Sequence, residues 1–440
     1  MPLARNLSGQ LLMGRVNLAE LVRAVDTPAY VYDVDAMAAE ARALRGSFGG
    51  ASHLVAYAVK ANSAGRIVRA LGAEGCGADV VSGGELLLAL ECGIAPERIL
   101  YSGVAKMDGE LDCAIGTGPA GIGAIAIESV EEIARVEGRA RAAGRKARVS
   151  LRLNPGVDLK GVTHAHIATG HDEAKFGVHR DDVAEAVRLI EHSTWLDLVG
   201  MATHPGSQFL MTPPYVDAAK VLFSLVRGMR AEGHLGALAF VDTGGGFGVD
   251  YDAPVPSEGA PIDPKAHAER ARPSDFISAV VREQRTFGLG DLALYVEPGR
   301  SLVAPFGVLL ARTVQVKVTP AARWLMIDAG MNDLIRPALY QARHRIVPID
   351  CGATPIETRP WRVVGPVCES SDDFGAHELP VNPPTAVAIL DAGAYGYAMA
   401  STYNGRPLPG EVFVSGCHVA ALTQRAPVET WVRHRSTAGG

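Results

Sequence analysis

Apolar residues in the first two thirds of the chain form short runs that alternate with longer amphipathic segments. Eight runs have the length and composition of buried strands, and they begin at residues 53, 78, 98, 124, 147, 197, 238 and 292. Helical patterns lie between them, and two of these, 129–144 and 216–233, close on a glycine. Near-continuous apolar strands separated by helices predict a parallel sheet, and eight such units predict an α/β fold with a TIM-type (β/α)₈ barrel.

The pattern changes after about residue 300. Runs that begin at 308, 323, 385 and 411 are β-rich, with glycine and proline breaks. We therefore predict a mainly β C-terminal domain that also takes in the strand-like segment 27–33. Residues 251–267 are rich in proline, glycine and aspartate and predict a surface loop or insertion. The predicted boundaries are 1–36 for the N-terminal segment of the β domain, 37–298 for the barrel and 299–440 for the β domain.

Composition restricts the class of function. A formal net charge of −6 and the lack of a Lys/Arg run argue against a nucleic-acid partner. No apolar stretch approaches the ~20 residues of a membrane span, and the N-terminus lacks the apolar core of a signal peptide, which favours the cytoplasm. The six cysteines are scattered, so neither disulfides nor a zinc site is predicted, and all except Cys368 are expected to be small buried hydrophobes. No metal is predicted either at the histidines 164, 166, 171 and 179, because they lack paired ligand spacing.

Polar or glycine-rich groups follow six of the eight predicted strands. In a barrel of this kind the chemistry gathers at the C-terminal strand ends. These ends are Lys60, Asp79, Arg152–Asn154, His204–Gln208, Asp242–Gly248 and Glu297–Arg300. A lone lysine at a strand end is usually solvated. Because five other strand ends are also polar or glycine-rich, Lys60 is interpreted as a nucleophilic amine at the mouth of a pocket.

Three consecutive glycines, Gly244 to Gly246, follow the seventh strand. A glycine run alone is usually a flexible turn, but the loops after strands seven and eight are where such barrels bind phosphate. Backbone N–H groups could approach a phosphate there, with Arg300 and the Ser207 hydroxyl as further donors. A reactive lysine facing a phosphate site suggests pyridoxal 5′-phosphate, which forms a Schiff base with lysine and acts as an electron sink.

Two further residues suit that cofactor. A carboxylate at Glu297 would keep the pyridine nitrogen protonated and so deepen the electron sink. His204 could stack on the ring, although a satisfied core histidine is the more common fate of such a residue.

Several dispersed motifs occur in an order that resembles the diaminopimelate decarboxylase family, within the group that includes alanine racemase and ornithine decarboxylase. They include YAVKAN, HPGSQ, DTGGGFG, EPGRSLVA, NDLIRPALYQARH, GPVCESSD and YGYAMASTYNGRP, and the resemblance covers nearly the whole chain. It implies the same fold, and it implies a pyridoxal-phosphate-dependent carboxy-lyase that converts meso-2,6-diaminopimelate to L-lysine and CO₂ in the last step of lysine biosynthesis.

The resemblance also implies individual roles. Lys60 would bind the cofactor covalently, His204 would stack on its ring and Cys368 would return a proton after CO₂ leaves. The remaining cofactor-binding residues would be Ser207, Gly244, Gly245, Gly246, Glu297, Pro298, Gly299, Arg300 and Tyr395. The substrate-binding residues would be Arg300, Arg336, Tyr340, Glu369 and Tyr395. Family members are homodimers with shared active sites, so Cys368 and Glu369 are expected to act in trans.

The substrate assignment has a physical argument. Diaminopimelate has an amino-acid head at each end, and the end that does not react presents a carboxylate and an ammonium. Arg336 suits the carboxylate by forked hydrogen bonding and Glu369 suits the ammonium. The alternatives are a related decarboxylase of ornithine, arginine or carboxynorspermidine, or a non-catalytic regulator. The joint presence of Lys60, Glu297, Arg300 and Cys368 argues against a regulator.

Overall fold

The computed structural model describes residues 3–156, 174–257, 270–350 and 357–436. The chain divides into two compact units. The barrel unit consists of Ala38–Gly248 and Glu269–Ser301, and the β-rich unit consists of Met1–Met37, Val249–Ala268 and Leu302–Gly440. Val249–Ala268 thus groups with the β-rich unit, whereas the boundaries predicted from the sequence place it within the barrel range 37–298.

The described residues form the following elements in chain order. The strands are β1 (Leu3–Arg5), β2 (Leu11–Met13), β3 (Val16–Asn17), β4 (Ala29–Asp33), β5 (His53–Ala58), β6 (Gly77–Val80), β7 (Ile99–Tyr101), β8 (Ala124–Ile127), β9 (Ala147–Leu153), β10 (Leu196–Thr203), β11 (Phe240–Asp242), β12 (Ala293–Val296), β13 (Gly307–Val318), β14 (Arg323–Ile327), β15 (Ile346–Pro348), β16 (Thr358–Val364), β17 (Asp373–Pro380), β18 (Ala386–Ile389), β19 (Gly410–Ser415) and β20 (His418–Thr423). The α-helices are α1 (Leu18–Ala24), α2 (Val34–Gly46), α3 (Gly65–Ala73), α4 (Gly83–Glu91), α5 (Asp108–Gly116), α6 (Val130–Ala142), α7 (Val183–His192), α8 (Thr212–Ala231), α9 (Pro273–Thr286), α10 (Arg300–Val303), α11 (Arg336–Tyr340) and α12 (Val428–Ser436).

Strands β5 to β12 close into a parallel barrel in sequence order, with β12 pairing β5. All eight predicted strands are therefore confirmed. The interior near the start of the strands is filled by apolar side chains, among them Leu54, Leu100 and Phe240. The Phe240 ring stacks on Tyr295 with centroids 4.1 Å apart. Gly200 provides the room for it, because a Cβ there would lie 2.1 Å from the Phe240 ring. This packed layer leaves the C-terminal strand ends for polar side chains.

The helices of the barrel unit follow the sequence pattern. Helix α6 begins where the Ser129 hydroxyl accepts the N–H of Glu132 at 3.2 Å, as expected for an N-cap serine. Its apolar stripe is buried, and the chain leaves it through Gly144, whose φ of +63° favours glycine. Helix α8 is followed in the same way by Gly233 at φ +91°. Both predicted helices are confirmed.

The β-rich unit contains a nine-stranded sheet with the path β17-β16-β14-β13-β4-β19-β20, in which β18 also pairs with β13 and with β15. Strand β4 lies between β13 and β19, which confirms that the N-terminal strand joins the β domain. A small sheet of β1, β2 and β3 covers part of the same core.

The burial predicted for the cysteines is found at some of them but not at Cys417. Cys76 and Cys92 are buried and Cys113 is half-buried, but Cys417 is exposed at the turn between β19 and β20. The prediction of a buried hydrophobe is therefore wrong for Cys417, because a hairpin turn gives its side chain nothing to pack against. Cys351 lies outside the described residues. No helix in the described part of the chain has the length and apolar character needed to cross a membrane.

Candidate active site

Lys60 lies on a single 3₁₀ turn, Val59–Ala61, directly after β5. Its Nζ is 2.6 Å from Oδ2 of Asp79. The two residues meet because β5 and β6 are neighbours in parallel register, with Ala58 beside Asp79. The Asp79 side chain is completely buried and that of Lys60 is 33% exposed. The sequence marked Asp79 only as a polar strand end, and its role as the partner that holds the Lys60 ammonium was missed.

Two more carboxyl groups are buried on the other side of β5, where Asp242 ends β11 and Glu297 directly follows β12. A side-chain hydrogen bond joins them. Burial raises the pKa of Asp242 to about 7, although the N–H of Gly244 donates to its Oδ1 at 2.8 Å and opposes the rise. Burial, followed by the charges of Asp79 and Asp242, raises the pKa of Glu297 well above its ordinary value. The pair therefore holds a proton at a pH at which isolated carboxyl groups are ionised.

His204 follows β10 and is held neutral. Burial, then the positive charges of Arg152 and Lys60, lower the pKa of His204 well below its ordinary value. His204 lines one small cavity together with Ser102, Arg152, Asp242 and Glu297. A neutral imidazole and a protonated carboxyl pair thus face the same space at the barrel mouth.

Arg152 is fixed by Glu128, which follows β8. Its Nη1 lies 2.9 Å from Oε1 of Glu128, and both side chains are largely buried. The same carboxylate accepts the N–H of Gly103 at 2.8 Å and of Gly177 at 2.9 Å. The Glu128 carboxylate therefore links the loops after β7, β8 and β9 through its hydrogen bonds. Glu128 was not identified as a site residue from the sequence. The run that begins at Ala124 ends one residue before Glu128, which was the available signal.

The three glycines after β11 are required by backbone packing. A Cβ on Gly245 would lie 2.0 Å from the carbonyl oxygen of Glu297, and one on Gly246 would lie 2.2 Å from that of Gly206. A Cβ on Gly244 would lie 2.7 Å from the Thr203 carbonyl oxygen, and the φ of this glycine is +72°. The loops after β10, β11 and β12 are thereby in direct backbone contact.

The same three loops bring anion-binding groups together. Arg300 is largely buried, and its Nη2 donates to the Ser207 hydroxyl at 3.0 Å. The N–H groups of Gly245 and Gly246 donate no hydrogen bond to any residue that the structure describes. An arginine, a hydroxyl and two backbone donors on adjoining loops form a set that suits a phosphate.

Pro298 and Gly299 connect this set to the lysine turn. The carbonyl of Pro298 accepts the N–H of Ala58 at 3.1 Å. A Cβ on Gly299 would lie 3.0 Å from the Cβ of Ala61. The barrel unit therefore gathers the predicted residues Lys60, His204, Ser207, Gly244, Gly245, Gly246, Glu297, Pro298, Gly299 and Arg300 at its C-terminal strand ends.

The other predicted site residues belong to the β-rich unit. Arg336 and Tyr340 begin and end α11, and Arg336 is buried. Tyr395 follows β18 with a φ of +56° and is half-buried.

Cys368 and Glu369 lie in the loop between β16 and β17, and both are exposed. A second loop, containing Tyr403 and Asn404, contacts them. The N–H of Cys368 donates to Oδ1 of Asn404 at 2.9 Å, and the Tyr403 hydroxyl donates to Oε1 of Glu369 at 2.5 Å. Tyr403 and Asn404 form part of the TYNGRP sequence, but no role was assigned to them.

The histidines considered for a metal can be followed only in part. His164, His166 and His171 lie outside the described residues. Within those residues, His179 hydrogen-bonds the N–H of Asp181 through Nδ1 at 3.4 Å.

Comparison with known proteins agrees with this arrangement. The pyridoxal binding domain of pyridoxal-dependent decarboxylases matches residues 34–304. The diaminopimelate decarboxylase of Zymomonas mobilis is 39% identical over 431 residues, which cover 97% of this chain and 96% of that protein. The chain belongs to the diaminopimelate decarboxylase family of pyridoxal-dependent decarboxylases.

Solved structures of this family share the fold over nearly the whole chain. Diaminopimelate decarboxylase from Helicobacter pylori, complexed with L-lysine, has a TM-score of 0.84 at 36% identity and covers 96% of this chain and 99% of its own. The enzyme from M. jannaschii, also in complex with L-lysine, has a TM-score of 0.86 at 32% identity and covers 97% and 96%.

The cofactor of this family is pyridoxal phosphate, and the residues at the barrel mouth suit it. They supply a primary amine at Lys60, a proton-holding carboxyl pair at Asp242 and Glu297, and the hydrogen-bond donors of the three loops. The aldehyde, the ring nitrogen and the phosphate of the cofactor thus each have chemically matched groups on neighbouring strand ends.

Proposed function

We propose that this protein decarboxylates meso-2,6-diaminopimelate to L-lysine and CO₂, the last step of lysine biosynthesis. The observation that carries the proposal is the barrel mouth, where the amine of Lys60, the Asp242–Glu297 pair and the Arg300–Ser207 pair lie on adjoining strand ends. They do so in a chain whose full-length relatives are diaminopimelate decarboxylases.

The residues of the barrel unit hold the cofactor in this proposal. Lys60 would hold the cofactor through its amine, and the neutral His204 ring would line the site of the pyridine ring. Glu297 and Asp242 would hold a proton for the pyridine nitrogen. The phosphate would be held by Arg300, Ser207, Tyr395 and the N–H groups of Gly244, Gly245 and Gly246, beside Pro298 and Gly299. When bound, the cofactor supplies an electron sink for the pair released by decarboxylation.

The residues of the β-rich unit handle the substrate and the returning proton. Arg336 receives the distal carboxylate and Glu369 the distal ammonium, with Tyr340, Tyr395 and Arg300 as further contacts. The bond between Cα and the reacting carboxylate breaks and CO₂ leaves, so that a proton has to return to Cα. Cys368 then donates its Sγ proton to Cα, which yields the lysine product.

The main experiment is an assay of the protein loaded with pyridoxal phosphate. We expect meso-diaminopimelate to give equal amounts of L-lysine and CO₂. LL-Diaminopimelate is the control, because the family resemblance implies that the D-configured carbon reacts, and it should give neither product. Turnover of ornithine, arginine or carboxynorspermidine at a higher kcat/KM would contradict the substrate assignment. Loaded protein that released no CO₂ from any of these would contradict the function.

We further propose a cytoplasmic homodimer in which Cys368 and Glu369 serve the active site of the partner subunit. Their exposure on the β-rich unit supports this, because a proton donor at the surface of a single chain can be completed by a second chain. Mixing Lys60→Ala and Cys368→Ala proteins under exchange conditions should restore about a quarter of wild-type activity, since half of the dimers are mixed and each holds one intact site. A mixture as inactive as its components would contradict the trans arrangement.

A further inference from the structure

Arg336 contacts two side chains that the proposed function does not use. Its Nη1 lies 2.7 Å from Nε2 of His344. Its guanidinium carbon lies 4.9 Å from the centre of the Tyr251 ring. The rings of Tyr251 and His344 also meet edge to face, with centroids 5.2 Å apart and planes at 73°. We call these three residues the arginine clamp, and all of them belong to the β-rich unit.

The protonation of His344 in the clamp follows from its two partners. The ring is buried, at 2% exposure, and its Nδ1 lies 2.8 Å from the carbonyl oxygen of Leu390. A carbonyl only accepts, so Nδ1 carries a hydrogen, and a guanidinium only donates, so Nε2 is the acceptor. His344 is therefore neutral. Its hydrogen bond orients the Arg336 guanidinium without neutralising the charge.

Tyr251 restrains a different degree of freedom. An aromatic ring contacts the flat face of a guanidinium, whereas hydrogen bonds to its N–H groups form in its plane. The contact with the Tyr251 ring therefore restrains the position of the Arg336 guanidinium, and the hydrogen bond to His344 restrains its rotation. Tyr251 lies in the segment Val249–Ala268, for which the sequence predicted only a surface loop or insertion.

We propose that His344 and Tyr251 are positioning residues that hold Arg336 ready to form a forked contact with the distal carboxylate of the substrate. The inference rests on the proposed function, because it concerns the group that Arg336 recognises. A bidentate contact requires two N–H groups coplanar with the carboxylate. An arginine already restrained in position and rotation loses less side-chain entropy when it forms that contact. The clamp thereby determines the preference for substrates that carry a distal carboxylate.

The test compares the binding of L-lysine, which has the carboxylate, with that of cadaverine, which lacks it. Both are titrated calorimetrically into the protein loaded with pyridoxal phosphate. We expect His344→Leu to weaken L-lysine binding roughly tenfold, the scale of one hydrogen bond to a charged group, with little change for cadaverine. His344→Gln, which retains an acceptor that can reach Arg336, should recover part of the loss. In turnover, KM for meso-diaminopimelate should rise much more than kcat falls.

Tyr251 provides an independent test that does not depend on the folding of the His344 variants. Tyr251→Leu should weaken L-lysine binding by roughly twofold to thirtyfold, since a cation–π contact contributes about 0.5–2 kcal/mol. Tyr251→Phe retains the ring and should lose less. His377→Leu is the matched control, because His377 is also buried in the β-rich unit and bonds a carbonyl, that of Phe374, at 2.9 Å. It should not change the ratio of the two affinities.

The outcomes separate this inference from the proposed function. Equal losses for L-lysine and cadaverine, or no loss for either in both His344→Leu and Tyr251→Leu, would overturn the clamp. Wild-type protein that binds L-lysine without decarboxylating meso-diaminopimelate would overturn the proposed function, and the affinity ratios would still decide the role of the clamp.

Discussion

The barrel mouth and the exposed loop pair, residues 367–371 with 402–405, hold their candidate residues in opposite ways. At the barrel mouth Asp79, Asp242 and Glu297 are buried, and neighbouring loops approach so closely that glycine is required. In the loop pair Cys368 and Glu369 are exposed, and single hydrogen bonds from Cys368 N–H and to the Glu369 carboxylate join the two loops.

The difference separates two requirements of a reaction. A cofactor must be held in one position with its proton in place, which favours groups that the fold itself immobilises. A substrate must enter and leave, which favours side chains on accessible loops. Substitutions at the barrel mouth should therefore change stability and chemistry together, whereas substitutions in the loop pair should change chemistry alone.

The largest effect is expected from Lys60→Ala. Loss of the group that bonds to the cofactor should lower kcat by roughly 10³-fold or more and remove the visible absorption of covalently bound cofactor. Borohydride reduction followed by peptide mapping should label Lys60 in the wild-type protein. Lys146→Ala is the control, because Lys146 is also a lysine within 2.7 Å of an aspartate, Asp197, but lies on the surface. A label on another lysine would show that Lys60 is not the residue that binds the cofactor covalently.

Cys368→Ala tests the loop pair. The loss of a proton donor should lower kcat by roughly 10²- to 10⁴-fold. The free energy of unfolding should change by less than about 0.5 kcal/mol, because the side chain is exposed. Cys417→Ala, a second exposed cysteine in the same unit, should leave kcat unchanged. A large loss of stability in Cys368→Ala would show that the loop is structural.

Gly245→Ala tests whether the barrel mouth is fixed by backbone packing. The new Cβ would meet the Glu297 carbonyl oxygen, so the free energy of unfolding should fall by about 1–3 kcal/mol, and cofactor retention should fall with it. Gly228→Ala, at an exposed position of α8 where a Cβ meets nothing within 4 Å, should instead gain about 0.5–1 kcal/mol. Equal stability of the two variants in urea denaturation would contradict the packing argument.

Asp242→Asn gives a smaller, pH-dependent effect. The pKa of Asp242 is about 7 in the folded protein, mainly because of burial, and about 3.9 in an unfolded chain. The folded state therefore binds the proton more tightly. The stabilisation is complete below about pH 4 and is lost as the pH rises to about 7, at up to about 1.4 kcal/mol per pH unit.

The measurement is the free energy of unfolding of cofactor-free protein between pH 5 and 8. Wild type should lose stability relative to Asp242→Asn as the pH rises through this range. Asp217→Asn, at an exposed position of α8, should show no such slope. A wild-type protein that gained stability relative to Asp242→Asn over the same range would show that the carboxyl is ionised in the folded state.

Part of the fold was predictable because buried strands are composed mainly of apolar residues. The eight barrel strands are buried on both faces and read as continuous apolar runs. Strands β16 and β20 were not predicted from such a run. β16 carries Arg359, Pro360 and Arg362, and every residue of β20 except Ala421 is exposed. They are strands because they pair with β17 and β19, and neither of them is buried on both faces.

The candidate site divides in the same way. Lys60, His204, Glu297 and Arg300 could be found from the sequence, because they lie at or soon after the ends of apolar strands, where a barrel of this kind gathers its chemistry. Their partners could not be found, because a strand end does not reveal its neighbour. The pairing of β11 with β12 brings Glu297 near Asp242, and only the tertiary fold brings His344 and Tyr251 to Arg336.

The sequence by itself determined the alternation of strands and helices, the β-rich second unit and the residue types at each strand end. These depend on local properties, namely hydrophobic period, turn residues and the choice of side chain after a buried run. The tertiary structure decided which charges meet, which protons are shared and which glycines are indispensable. Those depend on distances between residues far apart in the chain, because electrostatic and steric energies act through space rather than along the sequence.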